Sequence, residues 1–236
     1  MSQFLTDKEI RALFGNAGDF VTRELSCNGF TLYAYAIDGL TSGADTSEYV
    51  FKPLTDHLTG ETMQLLYDNA LRGEIYNSVA VECKDLDDVA LKLVNGFCVI
   101  LFPGSGALAF EVKTGEKRGL SAPEVENTVK GPKDAFTETV RTNTSLLRRH
   151  LRTPALRLDE SRVGRRSLTN VTVAWVEGIT SPTLVERMKQ RLASIDVDGF
   201  LTPGAVEEHV TGSRATAFPL LQYTERADTF CLGLLD

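Results

Sequence analysis

The spacing of apolar residues in the first half of the chain switches repeatedly between helical and strand periods. Thr6 and Glu9 form a capping-box pattern that opens a helix with Ile10, Leu13 and Phe14 on one face. The same rules predict helices at 47–57, 60–71 and 85–94, and strands at 20–25, 30–37, 77–82, 97–102 and 107–112. Short glycine-containing turns separate the first two strands and the last two, so each pair is predicted as a hairpin.

The sequence after residue 125 predicts a second set of helices and strands. A helix is predicted from 133 to 152, strands at 156–163 and 170–176, a helix at 181–195 and a short helix after Pro203. We therefore predict an α/β fold with two α/β subdomains, in which mixed sheets are flanked by helices. The predicted domains span residues 1–125 and 126–236, and a hinge near residues 120–130 joins them.

Charge is distributed unevenly along this chain of 236 residues, whose formal net charge is -7. Residues 130–166 contain ten basic and four acidic residues, whereas the segments on either side are acidic overall. A basic block of this kind suits an anionic partner such as a phosphate, a lipid headgroup or an acidic protein surface. A solvated helix face is the alternative explanation, and the acidic total together with the lack of interleaved aromatic residues argues against a nucleic-acid partner.

The four cysteines lie far apart in the sequence and form no CxxC pair. We predict that Cys27, Cys83, Cys98 and Cys231 are buried thiols of a protein kept in a reducing compartment. The amino-terminal residues do not resemble a signal peptide, and no apolar run reaches the roughly 20 residues needed to cross a bilayer. The chain as given is therefore expected to be soluble.

No familiar catalytic or metal-binding pattern occurs in the sequence. The glycine-rich stretch 102–107 lacks the lysine and the following helix of a phosphate-binding loop, so it is predicted as a hairpin turn. His57, His150 and His209 have no partner at metal-ligand spacing, and a helix N-terminus explains the acidic residues at 85–88. We therefore predict no catalytic residues, no metal site and no cofactor.

The predicted helix at 133–152 carries the most informative polar residues. Asn143 falls within an apolar stripe, so we expect its amide to hydrogen-bond to a neighbouring backbone, with direct ligand contact as the alternative. A second face of this helix is basic, and its residues are candidates for binding an anion or a partner: Lys133, Arg141, Arg148, Arg149 and Arg152. Salt bridges with Glu138 or Asp134 are the alternative explanation for this face.

Several short motifs follow residue 123 in a fixed order. They are Lys-Gly-Pro-Lys at 130–133, Ala-Phe-Thr-Glu at 135–138, Arg-Thr-Asn at 141–143, Gly-Arg-Arg-Ser at 164–167 and Thr-Glu-Arg at 224–226. In their order and spacing the chain resembles the GerA family of spore germinant receptor A subunits, and a looser likeness covers the first 120 residues. The resemblance gives a structural role to Gly131, Pro132, Phe136, Glu138, Asn143, Arg191, Pro219, Glu225 and Arg226.

The resemblance implies a cytosolic domain attached to the spore inner membrane. Receptors of this family combine A, B and C subunits and trigger germination in response to nutrients, and their A subunits are thought to oligomerise. Family members continue into transmembrane helices, so we expect this chain to be an excised amino-terminal domain or a truncated gene product.

Three functions are compatible with these expectations. The first is a regulatory and assembly domain, not an enzyme, whose basic face meets another receptor subunit, a second copy or the anionic membrane surface. The second is a clamshell module that binds a small molecule, such as a germinant, between its lobes near Gly131, Pro132 and Asn143. A hydrolase or transferase ranks last, because no acid–base set is evident.

Overall fold

The structure is a computed structural model, and it describes residues 5–73, 80–114, 123, 126, 132, 134–199, 203–212 and 220–236. The chain divides into two compact units, Met1–Gly119 with Leu151–Ala155, and Leu120–His150 with Leu156–Asp236. The division lies near the predicted boundary at residue 125. The short return of residues 151–155 to the first unit was not predicted.

The first unit is built on a five-stranded antiparallel sheet with the strand order β1-β2-β4-β5-β3. Its strands are β1 (Phe20–Cys27), β2 (Phe30–Ile37), β3 (Ala80–Cys83), β4 (Phe97–Phe102) and β5 (Gly106–Glu111). Both predicted hairpins are present, as β1–β2 and β4–β5. Of the strand predicted at 77–82, residues 77–79 lie outside the described residues.

Among the described residues of the first unit, five α-helices accompany this sheet. They are α1 (Asp7–Phe14), α2 (Gly43–Thr46), α3 (Lys52–Asp56), α4 (Met63–Arg72) and α5 (Leu86–Val94), with a π-helical turn at Ser47–Phe51 between α2 and α3. The predicted capping box opens α1, where the side chain of Thr6 accepts from the N–H of Glu9 and the Glu9 carboxylate accepts from the N–H of Thr6. Asp85 caps α5 by accepting from the N–H of Asp88 at 2.8 Å, as the acidic run predicted.

Helices cover both faces of the sheet, and the alternation of side chains along β4 shows why. Cys98 and Ile100 point into a core formed with α3 and α4, whereas Val99 and Leu101 point into a second core formed with α1 and α5. A strand buried on both faces needs apolar residues at every position. The unbroken apolar run of β4 follows from this requirement.

In the residues that the structure describes, the second unit contains a two-stranded antiparallel sheet and four helices. The strands are β6 (Leu156–Val163) and β7 (Thr169–Val176), and the helices are α6 (Val140–His150), α7 (Pro182–Ala193), α8 (Pro203–Thr211) and α9 (Ala227–Leu235). Arg141 of α6 reaches Glu160 at 2.9 Å, and Lys189 of α7 reaches Asp159 at 2.7 Å. Because adjacent strand residues point to opposite faces, α6 and α7 cover opposite faces of this sheet.

The predicted start of α6 at residue 133 is wrong for the residues that the structure describes there. Residues 134–139 are not helical, and the helix begins at Val140. Ala135 forms a β-bridge with Arg226, and the N–H of Phe136 donates to the carbonyl of Glu225 at 2.7 Å. Pairing with a distant segment therefore replaces the helical hydrogen bonds that the local spacing predicted.

The predicted fold class is confirmed. The architecture is mixed α/β, with antiparallel sheets flanked by helices, and all four cysteines are buried free thiols. In the part of the chain that the structure describes, every helix is too short or too polar to span a bilayer.

Candidate functional site

A hydrogen-bonded cluster in the second unit joins residues that lie about a hundred positions apart in the sequence. Thr224 donates its hydroxyl to Glu126 Oε2 at 2.6 Å, and the N–H of Glu126 donates to Glu225 Oε1 at 2.7 Å. The carbonyl of Glu225 accepts from the N–H of Phe136 at 2.7 Å. We call the cluster formed by Glu126, Asp134–Phe136 and Thr224–Asp228 the clasp.

An ion pair completes the clasp at the start of α9. The guanidinium of Arg226 binds both carboxylate oxygens of Asp228, at 3.1 and 2.5 Å. This bond lowers the pKa of Asp228 and raises the pKa of Arg226, which is raised further by the nearby carboxylates of Glu126 and Asp134. Arg226 is therefore held among three acidic side chains from two distant parts of the chain.

The end of α6 also reaches the clasp. His150 Nε2 lies 2.7 Å from Asp134 Oδ2. Beside this pair the rings of Phe136 and Phe230 pack edge to face, with centroids 5.6 Å apart. The buried Cys231 thiol has a pKa raised to about 11, chiefly by burial and also by Asp134 and Asp228. Polar and apolar contacts together fasten α6, the segment before it and α9 to one another.

Asn143 makes the backbone contacts that the sequence predicts. Its Oδ1 accepts from the N–H of Thr137 at 2.7 Å, and its Nδ2 donates to the carbonyl of Thr137 at 2.7 Å. Both polar atoms of the amide thus face the segment before α6. This arrangement gives no support to the alternative that Asn143 contacts a ligand.

The structure does not place the predicted basic residues on one exposed face. Arg148 is fully buried, with 0% exposure, and Arg141 pairs with Glu160. Arg149 is half-buried, and the exposed Arg152 follows α6 and donates to Asn95 Oδ1 at 3.3 Å within the first unit. The role of these residues in binding an anion or a partner stays a prediction, and Lys133 lies outside the described residues.

The other residues of the motif set occupy different positions. Glu225 and Arg226 belong to the clasp, and Arg191 of α7 donates to the carbonyl of Val210 in α8. Pro132 and Glu138 are exposed. Gly131 and Pro219 lie outside the described residues.

Sequence reasoning missed most of the clasp. The motif at 224–226 was noted, but nothing in the local pattern links it to Glu126 or Asp134. A hydrogen bond between residues 98 positions apart leaves no periodic signal in the sequence.

Concave surfaces also lie away from the clasp. In the first unit a cavity of about 160 Å³ is lined by β1, β2 and the π-helical turn, including Arg23, Ala36, Asp38, Ser47 and Phe51. In the second unit an open polar cleft of about 560 Å³ lies between the start of α6 and the far end of the β6–β7 hairpin. Neither was predicted, because each is formed by elements that are distant in sequence.

The fold and the motif residues define this chain as a member of a known family. The protein-family model described as Bacillus/Clostridium GerA spore germination protein matches residues 8–236. The chain belongs to the GerA family of spore germination proteins.

Individual relatives are similar over nearly the whole chain. Spore germination protein GerLA of Bacillus cereus is 31% identical over 96% of this chain and 46% of its own length. Stage V sporulation protein AF of Bacillus subtilis is 30% identical over 96% of this chain and 46% of its own length. This chain thus spans about half the length of the curated relatives it matches.

A solved structure is similar as well. It is the crystal structure of the N-terminal domain of the A subunit of the Bacillus megaterium spore germinant receptor GerK3. The TM-score is 0.69 at 25% identity, and the match covers 97% of this chain and 85% of that one.

Proposed function

We propose that this chain is the regulatory and assembly domain of a spore germinant receptor A subunit. It takes part in nutrient-triggered germination at the cytosolic face of the spore inner membrane. The observation that carries the proposal is the clasp, because it ties Glu126, Asp134–Phe136 and the end of α6 to α9, at the far end of the family match. A displacement of α9 would thereby reach α6 through hydrogen bonds and an aromatic contact.

The partners proposed for this domain are the other receptor subunits, of the A, B or C type, and further copies of the same chain. The anionic membrane surface is a further candidate, because basic residues are concentrated at 130–166. Among the arginines, Arg149 and Arg152 retain exposure, whereas the burial of Arg148 makes it part of the interior. The partner contact is therefore assigned to the first two.

The role of the clasp is tested by substituting Thr224 in the full-length protein and measuring germination of spores that carry the variant. Thr224→Val removes the hydroxyl that binds Glu126, whereas the matched control Thr224→Ser keeps it. We expect slower nutrient-triggered germination for the valine variant and unchanged germination for the serine variant. Normal germination of valine-variant spores that contain normal amounts of the protein would contradict a regulatory role for the clasp.

The partner contact is tested by charge reversal. Arg149→Glu places a negative charge at the half-buried end of α6, and Arg187→Glu makes the same change at an exposed position of α7. We expect the first variant to reduce co-purification with the other subunits and the control to leave it unchanged. Equal recovery of subunits with both variants would remove Arg149 from the proposed contact.

A second candidate function, small-molecule binding, is favoured by the cavity in the first unit. Its lining includes the apolar Ala36 and Phe51, and Arg23 and Asp38 bring opposite charges to it. The π-helical turn that lines it is a rare element that often marks a functional site. This location replaces the site that the sequence suggested near Asn143.

A thermal-shift screen against amino acids, sugars and nucleosides tests this candidate. A nutrient at 100 times its dissociation constant would stabilise the domain by about 2.7 kcal/mol. Ala36→Leu, which fills the cavity, should abolish the shift. A shift that persists in this variant, or no shift with any compound, would count against the cavity as a binding site.

A further inference from the structure

The turn of the β1–β2 hairpin consists of Asn28 and Gly29. Cys27 pairs with Phe30, so the loop between the strands has two residues. Asn28 has a φ of 49° and Gly29 a φ of 81°, as a type I′ turn requires. Asparagine and glycine adopt a positive φ more easily than other residues do, which explains why the fold has this dipeptide here.

Asn–Gly is also a dipeptide in which the asparagine side chain reacts with the backbone that follows it. The glycine nitrogen attacks the carbon of the side-chain amide, and glycine has no side chain to obstruct the attack. The chain contains this dipeptide twice, at 28–29 and at 95–96. Both copies have the same local chemistry, so a difference in their reactivity in the folded chain comes from their surroundings.

The first copy is only lightly restrained. Asn28 and Gly29 are exposed, and a side chain at Gly29 would meet no heavy atom within 4 Å. Among the described residues no group accepts from the N–H of Gly29, so the attacking nitrogen is open to water. The amide of Asn28 donates to the carbonyl of Leu58 at 3.2 Å. Ring closure requires the turn to open briefly, and these exposed residues oppose the opening weakly.

The second copy is held at both groups that the reaction needs. The N–H of Gly96 donates to the carbonyl of Leu93 at 3.0 Å, and Nδ2 of Asn95 donates to the carbonyl of Leu91 at 2.7 Å. Gly96 is buried, and a side chain there would lie 2.8 Å from the carbonyl oxygen of Leu40. Opening this turn would break the hydrogen bonds that end α5, so the fold protects Asn95.

We infer that Asn28 is a site of spontaneous covalent modification, at which the folded chain converts asparagine to aspartate and isoaspartate. The nitrogen of Gly29 forms a bond to Cγ of Asn28, the bond from Cγ to Nδ2 breaks, and ammonia leaves with the proton that Gly29 gives up. One water molecule then opens the cyclic imide. Cleavage of the bond between the ring nitrogen and Cγ gives aspartate, and cleavage between the ring nitrogen and the main-chain carbonyl carbon gives isoaspartate. Water is the co-reactant.

The product alters the contact between the hairpin turn and the residues after α3. A carboxylate cannot donate to the carbonyl of Leu58, and it places a negative charge beside that oxygen. Leu58 is 3% exposed and lies in one core with Leu54 of α3. Isoaspartate also adds one carbon to the main chain, which the two-residue turn does not accommodate. The modification therefore loosens the attachment of this segment to the sheet.

The inference is tested by ageing the purified 236-residue chain in mildly alkaline buffer, folded and in guanidinium chloride. Peptide mass spectrometry follows each asparagine, and a protein isoaspartate methyltransferase, used as a reagent, labels isoaspartate. In the folded chain we expect Asn28 to convert about tenfold or more faster than Asn95, because only Asn95 must first break the bonds of a packed helix end. In the unfolded chain the two rates should be similar. Equal rates in the folded chain, or the same difference in the unfolded chain, would overturn the inference.

Asn28→Gly is the matched control, because glycine keeps the positive φ of the turn and has no amide to react. After equal ageing the unmodified chain should unfold at a lower denaturant concentration than when fresh, whereas the variant should be unchanged. A loss of the same size in the variant would show that modification of Asn28 does not loosen the fold. The clasp takes no part in the reaction, so normal germination with Thr224→Val would contradict the regulatory role and leave this inference standing.

Discussion

Asn143 lies where the chain changes from an extended segment to a helix. Its amide holds Thr137 through both backbone groups, and Oδ1 also accepts from the Thr137 hydroxyl at 3.3 Å. These bonds occupy polar groups that helix formation from residue 133 would have required. A single side chain thereby fixes where α6 starts.

Replacing Asn143 tests this account at the level of one residue. Asn143→Ala should lower the free energy of unfolding by about 1–3 kcal/mol, because it leaves half-buried backbone groups of Thr137 without partners. Asn143→Asp should cost at least as much, since it puts a carboxylate oxygen against the Thr137 carbonyl. Urea unfolding measures both effects, and Gln222→Ala, at an exposed position, should change stability by less than about 0.5 kcal/mol. Equal stability of all three variants would show that α6 starts at Val140 for another reason.

Arg148 shows what residue-level reasoning cannot find. An arginine is rarely buried completely, so its spacing with Arg141 favoured a place on an exposed basic face. The structure buries it entirely, because α6 is enclosed on more sides than its apolar stripe indicated. The backbone contact of Asn143, by contrast, was predictable, since an amide inside an apolar stripe needs a hydrogen-bond partner.

At the level of elements, local signals were sufficient wherever a helix or strand is defined by its own residues. β2 and β6 have the predicted bounds, and Thr6 and Asp85 cap the helices expected of them. The predicted start of α6 was wrong because Phe136, although it has helical spacing to Val140, lies outside the helix and packs on Phe230. α9 was not predicted, since its apolar residues follow no clear helical period and part of its helix is exposed. The clasp depends on pairs far apart in sequence, which no local pattern reveals.

The N-cap of α5 permits a quantitative test at this scale. Asp85→Ala removes the carboxylate that accepts from the N–H of Asp88, and it should cost about 0.5–2 kcal/mol of stability. Asp87→Ala, at another exposed position two residues further on, loses only a favourable interaction with the helix dipole, about 0.3–1 kcal/mol. Thermal unfolding of the two variants measures the difference. A larger loss for Asp87→Ala would contradict the capping role.

At the level of the whole molecule, the buried thiols should set the limit of stability in alkali. Burial raises the pKa of Cys83 and of Cys98 to about 12 and that of Cys231 to about 11, from an ordinary value of 9.0. Below about pH 8.5 these thiols are mostly protonated in both states and barely alter stability with pH. Above it the unfolded chain loses protons that the folded chain keeps, so each thiol lowers the unfolding free energy by up to about 1.4 kcal/mol per pH unit.

Urea unfolding at pH 7 to 11 measures this dependence. We expect a level region up to about pH 8.5 and a steepening decline above it. Cys98→Ala should be less stable at pH 7, because it leaves a small cavity. Its unfolding free energy should fall less steeply with pH, because one of the ionising thiols is missing. A slope identical to that of the unmodified chain would show that Cys98 ionises equally in both states.

The return of residues 151–155 to the first unit has a consequence for biosynthesis. A chain that leaves the ribosome from its amino terminus exposes all five strands of the first sheet, and then α6, before residues 151–155 emerge. The bond from Arg152 to Asn95 therefore forms only after synthesis of the second unit has begun. Residues 151–155, which complete the first unit, are synthesised between two parts of the second unit. A chain that ends at residue 125 therefore contains the five-stranded sheet but lacks the last segment of its unit.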